Sequence, residues 1–426
     1  MLVAVIFGVF FFLVIAGLPI SFSLALGAIV PLIIFKDMTM AVVIQKFFTS
    51  TNSYGLMAIP FFMIAGGLLD KGGVSKRLVN LANALMGWLP GGLAVVVFLA
   101  SAFFGAISGS AVATVVAIGS IMLPTMKEKG YDIRFTLSTI ASAGYLGVIV
   151  PPSIPMVLYG LSTGVSVGDV FLGGFIPGFL LAGGMAVYSV IYGIKHKEIQ
   201  RDKFSIVELR KAFISSIWAL IMPGIVLGGI YGGVFTPTEA AAVSVAYGLF
   251  IGFFVYRELN PNMLFKIMRS SIITSAMIMF VCAAASCFAY VLALESVPTQ
   301  IADYLVQICS SQFQFWAVVT TFLLVVGMVM DVPPAILILA PLLAPVATRF
   351  GIDPITFGVI MIINLGIGMV TPPVGMNMFV AAGLAKMKAS DVITRHLFIY
   401  MFLSLVVMVV LMVFPEIILF LPNLGK

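Results

Sequence analysis

The sequence predicts an all-α, polytopic membrane protein built from two inverted-topology repeats, each carrying a re-entrant helical hairpin and a broken helix. Three observations predict it. Of 426 residues, 62% are hydrophobic and 9% charged, too few charges to surface a soluble protein of this size. The basic residues fall in short clusters between apolar runs. Two of those runs, VIVPPSIPMVL at 148–158 and VTPPVGMNM at 370–378, contain paired prolines.

Apolar runs of about 15 to 25 residues fill most of the chain, and a spanning helix needs roughly 20, which gives about ten or eleven crossings. The opening MLVAVIFGVFFFLVIAG lacks the basic segment and small-residue cleavage site of a signal peptide, so it reads as the first helix. Cys282, Cys287 and Cys309 follow no metal spacing and read as small apolar packing residues.

The net charge of +6 does not point to nucleic acid, because the basic residues mark topology instead. Five clusters, at 71–77, 127–134, 195–211, 257–269 and 386–395, hold all but four of the 22. The positive-inside rule puts all five on the cytoplasmic side and leaves Lys36, Lys46, Arg349 and Lys426 for the other. Between the first two clusters runs GGLAVVVFLASAFFGAISGSAVATVVAIGSIMLPTM, which starts and finishes on one side. Its midpoint, GAISGS at 105–110, has no charge, so it reads as a buried hairpin tip that protein covers or a cavity solvates.

A shift of 221 residues aligns Pro124 with Pro345, Gly130 with Gly351, Asp132 with Asp353, Gly147 with Gly368, Pro151 with Pro372, and Pro152 with Pro373. Composition alone gives roughly two such matches in that window, and these are backbone-setting residues, so the chain is an internal duplication. On this register Ser110 faces Asp331, which marks a second hairpin in VVGMVMDVPPAILILAPLLAP. The second copy lacks basic flanks, so it enters from the opposite face.

Proline removes a backbone donor and breaks a helix. Near a membrane midplane such a break frees carbonyls and exposes half-helix ends, which together can hold cations and an anionic substrate. At the first site the candidates are Ser108, Gly109 and Ser110 from the hairpin with Val150, Pro151, Pro152 and Ser153 from the break. At the second they are Gly327, Met328 and Asp331 with Thr371, Pro372, Pro373 and Gly375. Ser108, Ser110, Ser153, Thr371 and Asn377 are the side chains suited to substrate. Asp331 reads both as an intramembrane functional acid and as a helix N-cap. Glu239 in TPTEAAA reads as half of a capping box with Thr236, Pro237 opening the helix.

Enzymatic chemistry is not expected. The two histidines, His196 and His396, lie among basic cytoplasmic residues, no close pair of acids lies within a span, and no metal cluster or cofactor motif is present.

The segments GVFTPTEAAAVSVAYG, GAISGSAVATVVAIGSIMLP, GYLGVIVPPSIPMVLYG and GMVTPPVGMNMF together resemble the large membrane subunit of TRAP transporters, the tripartite ATP-independent periplasmic family of bacteria and archaea. The resemblance covers essentially the whole chain. It implies an elevator, with scaffold helices and an amphipathic arm in 1–92, transport-unit halves in 93–167 and 314–388, further scaffold in 168–313, and a C-terminal helix in 389–426. It also implies sodium-driven uptake of an organic acid such as a C4-dicarboxylate, keto acid or sialic acid, with two or more sodium ions and no other cofactor. The implied partners are a small four-helix membrane subunit, a periplasmic substrate-binding protein and the lipid bilayer of the inner membrane, with both termini periplasmic. The alternative is a stand-alone sodium-coupled divalent-anion transporter that needs no binding protein.

Overall fold

Helices, and no strands, make up the computed structural model over the described residues, 2–35 and 40–424. Lys36 and Lys426, two of the four basic residues assigned to the non-cytoplasmic side, lie outside them. Nine helices among the described residues are long and apolar enough to cross a membrane, or ten with the bent pair Ile133–Ile149 and Ile154–Thr163. Shorter apolar helices, Val3–Ile15 and Ile20–Ile34 among them, account for the sequence expectation of ten or eleven.

The duplication is visible element by element. Helix Ala111–Glu128 maps onto Val332–Arg349 residue for residue under the shift of 221, and Gly92–Ser108 maps onto Gln312–Val329 to within one residue. Asp132 and Asp353 cap equivalent helices: Phe135 N–H donates to the first carboxylate, Ile355 and Thr356 N–H to the second. Gly130 and Gly351, just upstream, both take positive φ, +86° and +75°. Helix Val297–Ile308 repeats the amphipathic Val74–Met86.

Apolar side chains gain nothing by leaving lipid for protein, so close approach of small residues sets the packing between helices. In the first repeat Gly105 meets Gly147, where an added Cβ would stand 2.8 Å from the neighbour's Cα. In the second, Gly327 meets Gly368 in the same way, at 3.0 Å. The first hairpin's arms pack along each other, whereas Gln312–Val329 lies mainly against Pro354–Gly368 and less against its own partner arm. Helix Val167–Lys195 packs on Gly92–Ser108, Arg395–Val413 and Glu416–Leu424.

Ion pairs join the basic clusters in two groups, 71–77 with 257–269, and 127–134 with 195–211 and 386–395. Arg77 joins Glu258 at 2.6 Å and lies over the Tyr256 ring, Lys129 joins Asp202 at 2.9 Å, and Arg134 approaches Asp391 at 3.7 Å. Arg349 pairs instead with Asp303. The capping box read from TPTE is present: Glu239 N–H donates to Thr236 Oγ1, and Thr236 N–H to Glu239 Oε2.

Asp202 ties the amphipathic Val74–Met86 to the exit of the first hairpin, since it also accepts from Asn83 Nδ2 at 2.9 Å. Burial pushes its carboxyl up, but the hydrogen bonds from Asn83 and Lys129 outweigh burial and hold it below its ordinary pKa. A carboxylate depressed in this way stabilises the fold above its unfolded value of about 3.9 and stops doing so as pH falls through the lowered value. The latch is therefore expected to hold from pH 8 to about pH 4. Asp202→Ala should raise hydrogen exchange in 196–205 at pH 7, corrected for intrinsic rates; unchanged protection would show that the ion pair holds nothing.

Candidate functional site

At the first hairpin Ser108 ends one helix and Ser110 caps the next, with Gly109 between them at φ +59°. Such a φ suits glycine, and space requires it as well. A Cβ on Gly109 would lie 3.0 Å from the Ile154 nitrogen and 3.2 Å from the Pro152 carbonyl oxygen. The tip thus touches the first break directly. Thr114 Oγ1–H donates to the Ser110 carbonyl at 2.8 Å and lies 3.3 Å from Ser108 Oγ. The last turn of Gly92–Ser108 leaves carbonyls without intrahelical partners, and the short helix Leu146–Ile149 ends toward the same break. Two negative helix ends therefore meet the positive ends of Ala111–Glu128 and Ile154–Thr163.

Val150, Pro151, Pro152 and Ser153 are all buried. Ser153 Oγ–H donates to the Val148 carbonyl inside its own loop. The hydroxyl read from sequence as a substrate ligand therefore braces the break.

At the second site Gly375 N–H donates to the Met328 carbonyl at 3.2 Å, joining hairpin and break. Thr371 Oγ1–H donates to Ile367 O at 2.8 Å, and Asn377 N–H to Met369 O at 3.0 Å. Gly375 has φ +53°, with Thr371 O and Met369 O beside it. Met328 and Thr371 thus both lie at Gly375, whereas Gly327 meets Leu365 and Gly368. This break is the more open of the two: Pro373 and Val374 are exposed. Both double prolines contain a cis peptide bond.

Asp331 goes elsewhere. It caps Val332–Arg349, accepting from Val332 N–H at 2.8 Å. Pro333 and Pro334 follow and have no N–H to give, so this carboxylate caps through a single donor. It lines a cavity of about 530 Å³ together with Ser108, Gly109, Ser110 and Ile154. Gly66, Asp70, Ser270 and Thr274 close the cavity from Ala58–Lys71 and Pro261–Leu294, and among the described residues none that lines it is basic. A larger cavity of about 700 Å³, by Tyr54, Asp169 and Tyr231, touches neither hairpin tip nor either double proline. We therefore place the site in the smaller one.

Asn377 bridges the repeats. Its Nδ2–H donates to Ala141 O at 3.4 Å, while Oδ1 is buried without a partner among the described residues. Sequence reasoning missed Gly66, Asp70, Ser270 and Thr274. Gly66 is required by space, since a Cβ there would lie 3.1 Å from Ser108 Cα. The GGLLDKGG run that holds Gly66 and Asp70 was the available signal. No cluster of metal-binding side chains occurs among the described residues, and the three cysteines are buried.

Two interrupted helices, each met by a hairpin tip, with a cavity beside the first, are the architecture of a polytopic membrane permease. The sequence matches the family described as "Tripartite ATP-independent periplasmic transporter, DctM component" over residues 7–417, and the chain belongs to that family. It is 38% identical to the C4-dicarboxylate TRAP transporter large permease protein DctM of Rhodobacter capsulatus, over 99% of this chain and 98% of that one. With the 2,3-diketo-L-gulonate TRAP transporter large permease protein YiaN of Escherichia coli the identity is 37%, over 94% of each. It is 42% identical to the isethionate TRAP transporter permease protein DctMQ of Oleidesulfovibrio alaskensis over 90% of its length, and spans 61% of that longer protein. Among solved structures the YdaH transporter of Alcanivorax borkumensis has the same fold, with a TM-score of 0.64, 15% identity, and 88% of this chain and 87% of that one covered.

Proposed function

We propose that the chain is the permease for sodium-coupled uptake of an organic acid anion delivered by a periplasmic binding protein, working beside a small membrane subunit in the inner membrane. The observation that carries this reading is the meeting of tip and break at Gly109, Pro152 and Ile154 beside a cavity that, among the described residues, offers hydroxyls and carboxylates but no basic side chain. An anion held there needs cations and helix N-termini for its charge, and carbonyls freed at the breaks suit sodium. The named substrates of the relatives, a C4-dicarboxylate, 2,3-diketo-L-gulonate and isethionate, are all anions.

The hairpins are proposed to be re-entrant and to move as one unit with the breaks in an elevator. Packing favours including Val167–Lys195 and Arg395–Val413 in that unit. The cavity then lies at its boundary with Ala58–Lys71 and Pro261–Leu294.

Energetics sets the number of ions. At a potential of about 100 mV, inside negative, each inward charge is worth about 2.3 kcal/mol, and a tenfold gradient adds about 1.4 kcal/mol. One sodium ion, at about 3.7 kcal/mol, cannot import a dianion that costs about 4.6 kcal/mol. Two ions leave a surplus of about 2.8 kcal/mol, so at least two are expected per dianion.

The test is uptake into proteoliposomes that hold this chain with its small partner subunit, supplied with radiolabelled organic acids. The expected result is uptake that needs both an inward sodium gradient and the matching binding protein. Sodium-driven uptake without the binding protein would favour the stand-alone transporter, and uptake indifferent to sodium would end the coupling proposal.

A further inference from the structure

We infer that Tyr145 is the positioning residue that fixes the first break and ties it to the second, so that the two cation sites fill together. The inference rests on the reading of the breaks as cation sites.

Tyr145 occupies the one-residue interruption between Ile133–Gly144 and Leu146–Ile149, five residues before Val150, and is 1% exposed. The short helix that follows it cannot hold its own geometry, since four residues form barely one turn. Tyr145 holds it from outside. Its hydroxyl meets Ser404 Oγ on Arg395–Val413 and lies 3.4 Å from Met185 Sδ on Val167–Lys195. Ser404 spends its own proton on the Tyr400 carbonyl, at 2.8 Å, so the tyrosine donates and the serine accepts. Tyr400 extends the seam, with its hydroxyl 3.0 Å from Ser189 Oγ and 3.2 Å from Thr139 Oγ1.

The other side of Tyr145 faces the second repeat. An added Cβ at Gly366 would stand 3.3 Å from Tyr145 Cβ, with ring atoms 3.5 and 3.6 Å away. The shift of 221 pairs these two positions, so at this point the first broken helix crosses its own counterpart. One member is large and the other is glycine, and a Cβ in place of the glycine would push Tyr145 by a few tenths of an ångström. Gly366 precedes Thr371 by five residues, as Tyr145 precedes Val150, and the intervening Ile367 carbonyl holds the Thr371 hydroxyl. A displacement of one break is passed to the other through this contact, which stands beside the Asn377–Ala141 hydrogen bond between the repeats. Ion ligands must be held to within about 0.5 Å, so a shift of a few tenths of an ångström at this crossing is felt at both sites.

The test is the sodium dependence of uptake in proteoliposomes containing the permease, its small partner and the binding protein. Tyr145→Phe removes one hydroxyl and leaves Ser404 bonded to Tyr400. It is expected to raise the sodium concentration for half-maximal uptake about fivefold, the value of one hydrogen bond, with maximal rate nearly unchanged. Gly366→Ala pushes on Tyr145 and is expected to lower the sodium Hill coefficient from near two toward one. If Tyr145→Phe fails to fold, Ser404→Ala removes the same hydrogen bond from the other partner and should act in the same direction. A lower maximal rate or melting temperature with unmoved sodium curves would make Tyr145 merely structural and overturn the inference alone. A wild type indifferent to sodium would overturn the inference together with the reading beneath it.

Discussion

Gly109→Val is expected to cut sodium-driven uptake about a hundredfold while the protein still inserts and assembles. Two independent costs add. At φ +59° an L-residue costs about 1–2 kcal/mol and a β-branched one more. The new Cβ also arrives 3.0 Å from the Ile154 nitrogen and 3.2 Å from the Pro152 oxygen. Both are backbone atoms of the break and cannot rotate away, so overpacking adds about 1–3 kcal/mol. A total of about 3 kcal/mol corresponds to roughly a hundredfold. The tip can avoid the clash only by withdrawing from the break, which separates the proposed ligands. Gly109→Ala meets the same atoms with less bulk and should lose about tenfold. Initial uptake rates, normalised to permease in the proteoliposomes, decide this; near-normal rates for Gly109→Val would mean that tip and break need not touch during transport.

Gly368→Ala is expected to be the most destabilising single-methyl change in the second repeat. Its Cβ would stand 2.5 Å from Gly327 Cα, and this neighbour too is backbone. Relief requires moving Gln312–Val329 away from Pro354–Gly368, at a cost of about 3 kcal/mol, the upper end for overpacking. The same movement draws Met328 from Gly375 and opens the second site. Gly383→Ala provides the control, because nothing lies within 4 Å of its added Cβ and alanine is the better helix former. Melting of the detergent-solubilised protein should therefore fall by several degrees for Gly368→Ala and hold or rise for Gly383→Ala. Equal melting temperatures would show that the two helices yield freely.

Much of the site was legible because its parts are local. Proline pairs break helices, the uncharged GAISGS marks a tip, and Asp331 caps the helix it precedes, each through the chemistry of a few neighbouring residues. The duplication could be read because backbone-setting residues recur at a fixed spacing. The side chains that meet across the molecule could not. Asp331 belongs by sequence with Gly327 and Met328, yet lines the cavity at the first tip. Ser153 turns into its own loop, and Asn377 reaches to Ala141.

By itself, then, the sequence determined that the chain lies in a membrane, which loops carry its charge, that it is doubled, and where its helices break. Composition, charge placement and proline chemistry each act without reference to distant residues. The tertiary structure alone decided which carboxylates share a cavity, that Gly66 makes room for Ser108, that Tyr145 crosses its own counterpart at Gly366, and that one break is buried while the other is open. The physical reason is that helices in lipid carry little apolar-to-polar contrast between their faces, so periodicity does not say which face packs. That choice is made by close approach of glycines and by single hydrogen bonds between residues up to about 260 positions apart, such as the one from Tyr145 to Ser404.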